Sequence, residues 1–412
     1  MMKTISTCMT KLLMTIVILC TLALSLPARA TVYYASPTGT DAEGTSREKP
    51  GSVVAMLQKL TAGDELLLLD GQYDNDSTIT INCEGTVDNF VTIRAEKGAK
   101  PVLDFRRQPY GTNGVMLGGR YTRVKGLTIR YAGKKGIWNK GSYNILEQLD
   151  VYGNCDSGIQ HRDGGHNLII NCDSHDNFDY MSMKGDGKTR DYGGNADGFA
   201  DKLGMVYPGN IYIGCRAWNN SDDGWDFYRR TSDKTPTVFI NCITYKNGPH
   251  TYDMSQHPRY VTDKSWFDNC GETLNAYRCF GNANGFKLGG RSTKHNVELS
   301  HCLAVGHHGK GFDQNSNAGR MLIIDCKSYD NDRNFSFYNR NGYRLTIYNS
   351  ISMAPWSGDE IQNESTTQGR NSWNEDFSGR MPDFKSMDME RLILGERQPD
   401  GSLPEALLLL LL

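Results

Sequence analysis

In the stretch SDDGWDFY, Asp222, Asp223 and Asp226 surround Gly224, and Asp197 holds the matching place before Gly198 in NADGFADK. Four carboxylates gathered on one patch repel one another strongly at low effective dielectric, so a hard divalent cation is their natural compensation. An all-oxygen donor set suits calcium better than zinc. Asp also favours turns through side-chain to backbone hydrogen bonds, which accounts for any one of the four. Turn chemistry does not require Asp226, which falls on a strand face.

The elements that must position these groups are visible as a repeat. Segments such as NLIINCDSHDN, NIYIGCRAWNN and RMLIIDCKSYDN recur. Aligned on one inward position they give Gly126, Gln148, Cys172, Cys215, Cys242, Cys279, Cys302, Cys326 and Ser350, a unit of 22 to 24 residues with longer insertions. Each unit holds short alternating apolar or β-branched runs broken by Asn, Asp and Gly, which is strand chemistry without a helical period. Strand-rich repeats of this length predict an all-β, right-handed parallel β-helix, with the cysteines as an interior ladder of small apolar residues. The amphipathic stretch Ser52 to Leu60 is expected to be a helix that caps the open apolar end. One solenoid domain is expected over 31–355. The polar segment 356–412 is expected to pack on it or to be partly disordered, and the final six leucines have no account in the pattern.

A second register aligns KKGIWNK, DSGIQHR, ADGFADK, DDGWDFY, ANGFKLG and GKGFDQN on Gly136, Gly158, Gly198, Gly224, Gly285 and Gly311. The apolar residue after each glycine faces inward, so the next faces out. The outward column reads Trp138, Gln160, Ala200, Asp226, Lys287, Asp313. If the Cys242 coil intervenes, Lys287 stands two coils above Asp226, roughly 10 Å away. That gap fits one sugar ring, its carboxylate on the cation and its C5–H facing the amine. An exposed lysine on a β-face also serves solubility alone, and spacing does not choose between the two.

At these residues the chain closely resembles polysaccharide lyase family 9, the secreted pectate and rhamnogalacturonan lyases built on a parallel β-helix. NADGFADKLG, CRAWNNSDDGWDFY, NGFKLGG and KGFDQNSNAG carry the resemblance in order, and it covers most of 31–355. It implies calcium held by Asp197, Asp222, Asp223 and Asp226, with Lys287 as catalytic base. The reaction it implies is β-elimination on a galacturonate-containing polymer, either polygalacturonate or the rhamnogalacturonan I backbone. Lys202, Arg229, Arg230 and Arg291, near the site in sequence, are candidates for binding substrate carboxylates. Asp313 and Asn315 receive no definite role, and the stretch with His250, His257 and Arg259 matches no family segment.

Two other readings share the fold. A pectin hydrolase would need an acid and a water-activating base flanking one bond, and NAD, SDD and GHHG (306–309) echo such motifs. His307 and His308, however, lie over 80 residues past Asp223. A non-catalytic secreted solenoid that only binds glycans is the third reading.

Composition bounds the rest. The chain has 45 basic and 47 acidic residues, and without Lys3, Lys11 and Arg29 of the first 30 residues 42 stand against 47, a net of −5. A mildly acidic chain does not suit non-specific nucleic-acid binding. Residues 1–30 read as a secretory signal: Lys3 and Lys11, an apolar run from Leu12 to Leu26, then Ala28-Arg29-Ala30. The run falls short of the roughly 20 residues needed to span a membrane. The expectation is a secreted monomer. Nine cysteines outside the signal, with no CxxC spacing, do not form a structural zinc site.

Overall fold

The computed structural model describes residues 30–184, 186–188, 191–202, 208–248, 257–259, 281–338, 343–362 and 366–412. Within them the chain winds through three parallel sheets of twelve, ten and ten strands, each strand pairing with its counterpart one coil later. Residues 1–29, nearly all of the expected signal segment 1–30, lie outside this set. No helix among the described residues is long and apolar enough to cross a membrane.

Inward positions form vertical stacks because parallel pairing places like positions one strand spacing apart. Phe199, Trp225, Phe286, Phe312 and Phe335 stack face to face with centroids 4.6, 5.0, 5.0 and 5.0 Å apart. At another corner Cys172, Cys215, Cys242, Cys302 and Cys326 are buried free thiols in successive coils. The inward residues continuing this ladder below are Leu127 and Leu149, not Gly126 and Gln148. Those two sit at the bend, with φ of 71° and 52°, the left-handed turn that Asn171 and Asn241 make in their own coils. Cys279 lies outside the described residues. Its expected coil is absent from the pairing, because Ser232–Ile240 pairs directly with His295–Ser300.

A third stack is polar. The side chains of Asn177, Asn220, Asn247 and Asn331 accept backbone N–H bonds from the coil before, at 2.8 to 3.3 Å. His307 occupies one rung of it, where its Nδ1 accepts from Asn247 N at 3.1 Å. Burial drives the pKa of His307 down to about 4. It is a buried structural rung, not a hydrolase's histidine.

The capping helix spans Val53–Leu57. Ser52 Oγ accepts from Ala55 N at 3.2 Å, and Val53, Met56 and Leu57 bury against the first coils. At the other end the parallel pairing runs past residue 355. Glu360–Ile361 and Thr366–Gly369 add to two of the sheets, with too little apolar alternation to be recognised as strands.

The remaining tail covers the outer face of the third sheet. Strands Ile243–Tyr245 and Leu303–Val305 point apolar side chains outward from the sheet, at Ile243, Tyr245, Leu303 and Val305, and these require a cover. Phe384, Met389, Ile393, Leu403, Leu407 and Leu411 supply it. The leucine run thus forms the helix Glu405–Leu411, whose Leu411 carbonyl accepts from Lys327 Nζ at 2.8 Å. Arg216 and Arg397 both grip Asp173, at 2.7 and 2.6 Å, and Arg216 also donates to the carbonyls of Ile393 and Gly395.

Burial would raise the Asp173 carboxyl, but Arg397 and Arg216 hold it well below the usual carboxylate range. A depressed folded-state pKa adds stability above the unfolded value near 3.9, and that stability is lost as pH falls through the folded value. Asp173→Ala, which leaves two guanidinium groups buried without their partner, is expected to cost about 3–5 kcal/mol in denaturant unfolding. The variant should also lose much of the acid sensitivity that this carboxylate is expected to give the unsubstituted chain.

Candidate active site

The ten-stranded sheet that contains Phe199–Asp201 carries the chemistry-bearing groups. Phe199–Asp201 pairs with Trp225–Asp226, which pairs with Phe286–Lys287, then Lys310–Asp313. Register places Ala200, Asp226, Lys287 and Asp313 in one outward column, as the glycine alignment predicts. The turns that lead into these strands lie tight against one another. At Gly224 a Cβ would sit 2.2 Å from Thr244 Oγ1 and 2.7 Å from Gly285 O, so only glycine permits the close approach.

Asp197, Asp223 and Asp226 are buried, and each offers a carboxylate oxygen within 4.8 Å of the others. Asp222 lies beside them, its Oδ1 accepting from Asn282 N at 2.6 Å. Asp223 Oδ1 accepts two bonds of 2.9 Å from Asn284, and Asp197 Oδ2 accepts from Ser157 Oγ at 3.0 Å.

Lys287 stands one coil above Asp226, not two, because nothing pairs between their strands. Its Nζ lies 2.8 Å from Asp223 and 3.1 Å from Asp226. The amine is therefore inside the acidic cluster rather than across a sugar's width from it. A second amine enters from the other side: Lys202 Nζ is 2.7 Å from Asp226 and 3.2 Å from Asp197.

These charges set the protonation of the cluster. Burial, then the neighbouring carboxylates, lifts Asp197 to about 7. Burial and Asp223 push Asp222 well above the usual range, and Asp223 is raised too. Asp226 is held low against burial by Lys202 and Lys287. Lys287 is raised well above an ordinary amine, because Asp223 and Asp226 outweigh its burial. The three converging buried carboxylates, Asp197, Asp223 and Asp226, form an oxygen-only donor set that fits a hard divalent cation.

The other expected residues divide. Arg229 and Arg291 are exposed, their guanidinium carbons 5.4 and 5.5 Å from the ring centre of Tyr228. Lys287 Nζ lies 5.8 Å from the same ring, so all three meet at one aromatic. Arg230 does not join them. The backbone turns through the left-handed Arg229 (φ 66°) and sends Arg230 inward, fully buried, where its Nε lies 3.2 Å from Asp201 Oδ1. It cannot meet a polysaccharide. His257 and Arg259 are also buried and donate to backbone carbonyls, while His250 lies outside the described residues.

The sequence reading missed Asn284 and Tyr228 and gave Lys202 too peripheral a place. Asn284 precedes Gly285 as Asp197 and Asp223 precede their glycines, and Lys202 is two residues beyond the outward Ala200. Both lie within the segments that the same alignment sets side by side.

A parallel β-helix that carries this acid and lysine cluster on one outer sheet is the architecture of a polysaccharide lyase, and the comparisons agree. The description "Pel9A-like, right handed beta helix region" matches residues 33–349, and the chain belongs to that family, polysaccharide lyase family 9. Pectate lyase L of Dickeya chrysanthemi is 30% identical over 92% of this chain and 83% of its own length. Pectate lyase PEL9 of Emericella nidulans is 28% identical over 90% of each. The crystal structure of pectate lyase Pel9A superposes with a TM-score of 0.75 at 28% identity, covering 92% of this chain and 88% of that one. A rhamnogalacturonan lyase at 22% identity, with a TM-score of 0.72 over 91% and 95%, shares the fold.

Proposed function

We propose that this lyase is secreted and cleaves a galacturonate-containing pectic polymer by calcium-dependent β-elimination. The observation that carries the reading is the single patch in which Asp197, Asp223 and Asp226 converge and Lys287 enters. The pectate lyase relatives, alike over nearly the whole chain, support the substrate class.

Asp197, Asp223 and Asp226, with Asp222 beside them, would hold the cation. Calcium bound there supplies positive charge that stabilises a uronate carboxylate as the adjacent C5–H is ionised, and it eases proton loss from the neighbouring amine. Lys287 then accepts the C5 proton. The C5–H electron pair becomes the C4–C5 double bond, the C4–O bond breaks, and the departing oxygen takes a proton from solvent water to give a free chain end. Asn284 fixes Asp223 through two hydrogen bonds and so orients the carboxylate against Lys287. Exposed Arg229 and Arg291, held at Tyr228, bind a carboxylate of a flanking residue.

The test is digestion of polygalacturonate and of rhamnogalacturonan I, with and without chelator. Elimination leaves a 4,5-unsaturated end that absorbs in the ultraviolet. Reducing ends without that absorbance would indicate hydrolysis and overturn the reading.

A further inference from the structure

The outward face of the ten-stranded sheet that carries the site has a second column, two residues beyond the first. Alternation and register place Lys140, Arg162, Lys202, Tyr228, Gly289, Asn315 and Tyr338 on successive coils. The amides of Lys140, Arg162 and Lys202 donate to the carbonyls of Leu117, Asn139 and His161, which confirms the in-step placement of the three cations. On the amino-terminal side of the cluster three successive coils thus present a cation in this column, and the coils beyond them carry Gly118 and Asn82 there. On the other side none does.

Lys140 and Arg162 are exposed, and Lys202 is half-buried where it meets Asp197 and Asp226. Arg162 makes no ion pair among the described residues, and Lys140 has only Asp163, at 3.8 Å. Lys140 Nζ lies 5.2 Å from the ring centre of Trp138, a half-buried aromatic on the neighbouring column. Adjacent strands are spaced about 4.8 Å apart, close to the length of one pyranose unit in an extended chain. A cation at every strand spacing matches a polymer with a carboxylate on every sugar. A backbone that alternates uronate with neutral deoxy sugar would leave alternate cations without a counter-charge.

We propose that Lys140, Arg162 and Lys202, with Trp138 as an apolar platform at the outer end, bind a run of consecutive uronates, one carboxylate per coil. The run extends from the cluster towards the amino-terminal end of the solenoid. The assignment rests on the pectic-lyase reading and deepens it: the row selects homogalacturonate-type stretches over alternating ones.

The test is calorimetric binding of reduced hexagalacturonate, and of an alternating rhamnose–galacturonate oligomer of the same length, to Lys287→Ala protein in calcium buffer. Hexagalacturonate should bind more tightly. Adding Arg162→Gln should weaken hexagalacturonate by about tenfold, as for one charge-assisted contact, and flatten its salt dependence while leaving the alternating oligomer unchanged. An unchanged melting temperature shows that the Arg162→Gln protein is folded. Equal affinity for the two oligomers, or hexagalacturonate binding untouched by Arg162→Gln, overturns the row. The unsaturated product from unsubstituted protein reports separately: its absence with the binding pattern intact sinks the lyase reading and leaves the row standing. Its presence with binding indifferent to Arg162→Gln does the reverse.

Discussion

Lys287→Ala should lose about 10²- to 10⁴-fold in elimination rate, the usual worth of a positioned base. The loss should appear in kcat while the fold stays intact, since the lysine stem sits on the outer face and the aromatic stack beneath is untouched. The pH profile gives the sign independently. Asp223 and Asp226 raise the Lys287 amine, so around neutrality it holds its proton and cannot accept another. The rate of the unsubstituted enzyme should therefore climb with pH into the alkaline range, and added calcium should move that rise to lower pH. Lys287→Ala should abolish the climb. A variant that keeps it would show that some other group takes the proton.

Chelation should be equally severe. Lewis-acid stabilisation by a bound cation is worth several kcal/mol, so stripping calcium should lower activity by more than about a hundredfold. Calcium should restore it. Magnesium, which is smaller and dehydrates reluctantly, should restore it poorly. Asp223→Ala should reproduce the loss and resist rescue at any calcium concentration, and terbium luminescence should register weaker ion binding in the variant. Full activity after exhaustive chelation would remove calcium from the mechanism. Asp223→Ala also frees Lys287 and Asn284 from their shared carboxylate, so its melting temperature should be measured beside its activity.

Much of this was legible in the chain because a solenoid converts sequence period into spatial column. The glycine register alone placed Asp226 and Lys287 in one file, and the pairing of strands agrees. The failures share one physical cause. Where coils differ in length, period ceases to count rungs, and so the Asp226 to Lys287 interval was read as two coils when the pairing makes it one. Gly126 and Gln148 were misread because a left-handed bend residue precedes the inward position, and the cysteines that anchored the alignment begin only at Cys172. Arg230 was misplaced because closeness in sequence carries no facing. The tail was opaque because its apolar residues answer to Ile243, Tyr245, Leu303 and Val305, whose need of a cover shows only once the sheet is built.

The aromatic pile of Phe199, Trp225, Phe286, Phe312 and Phe335 has a bearing on how such a chain is assembled. Asp223 and Lys287 are 64 positions apart yet end in contact. Each doubling of an excursion adds only about 0.6 kcal/mol of closure entropy, and flat rings locking onto the ring below offset that cost locally. Long excursions can therefore separate Asp223 and Lys287 in sequence without loosening the grip between them.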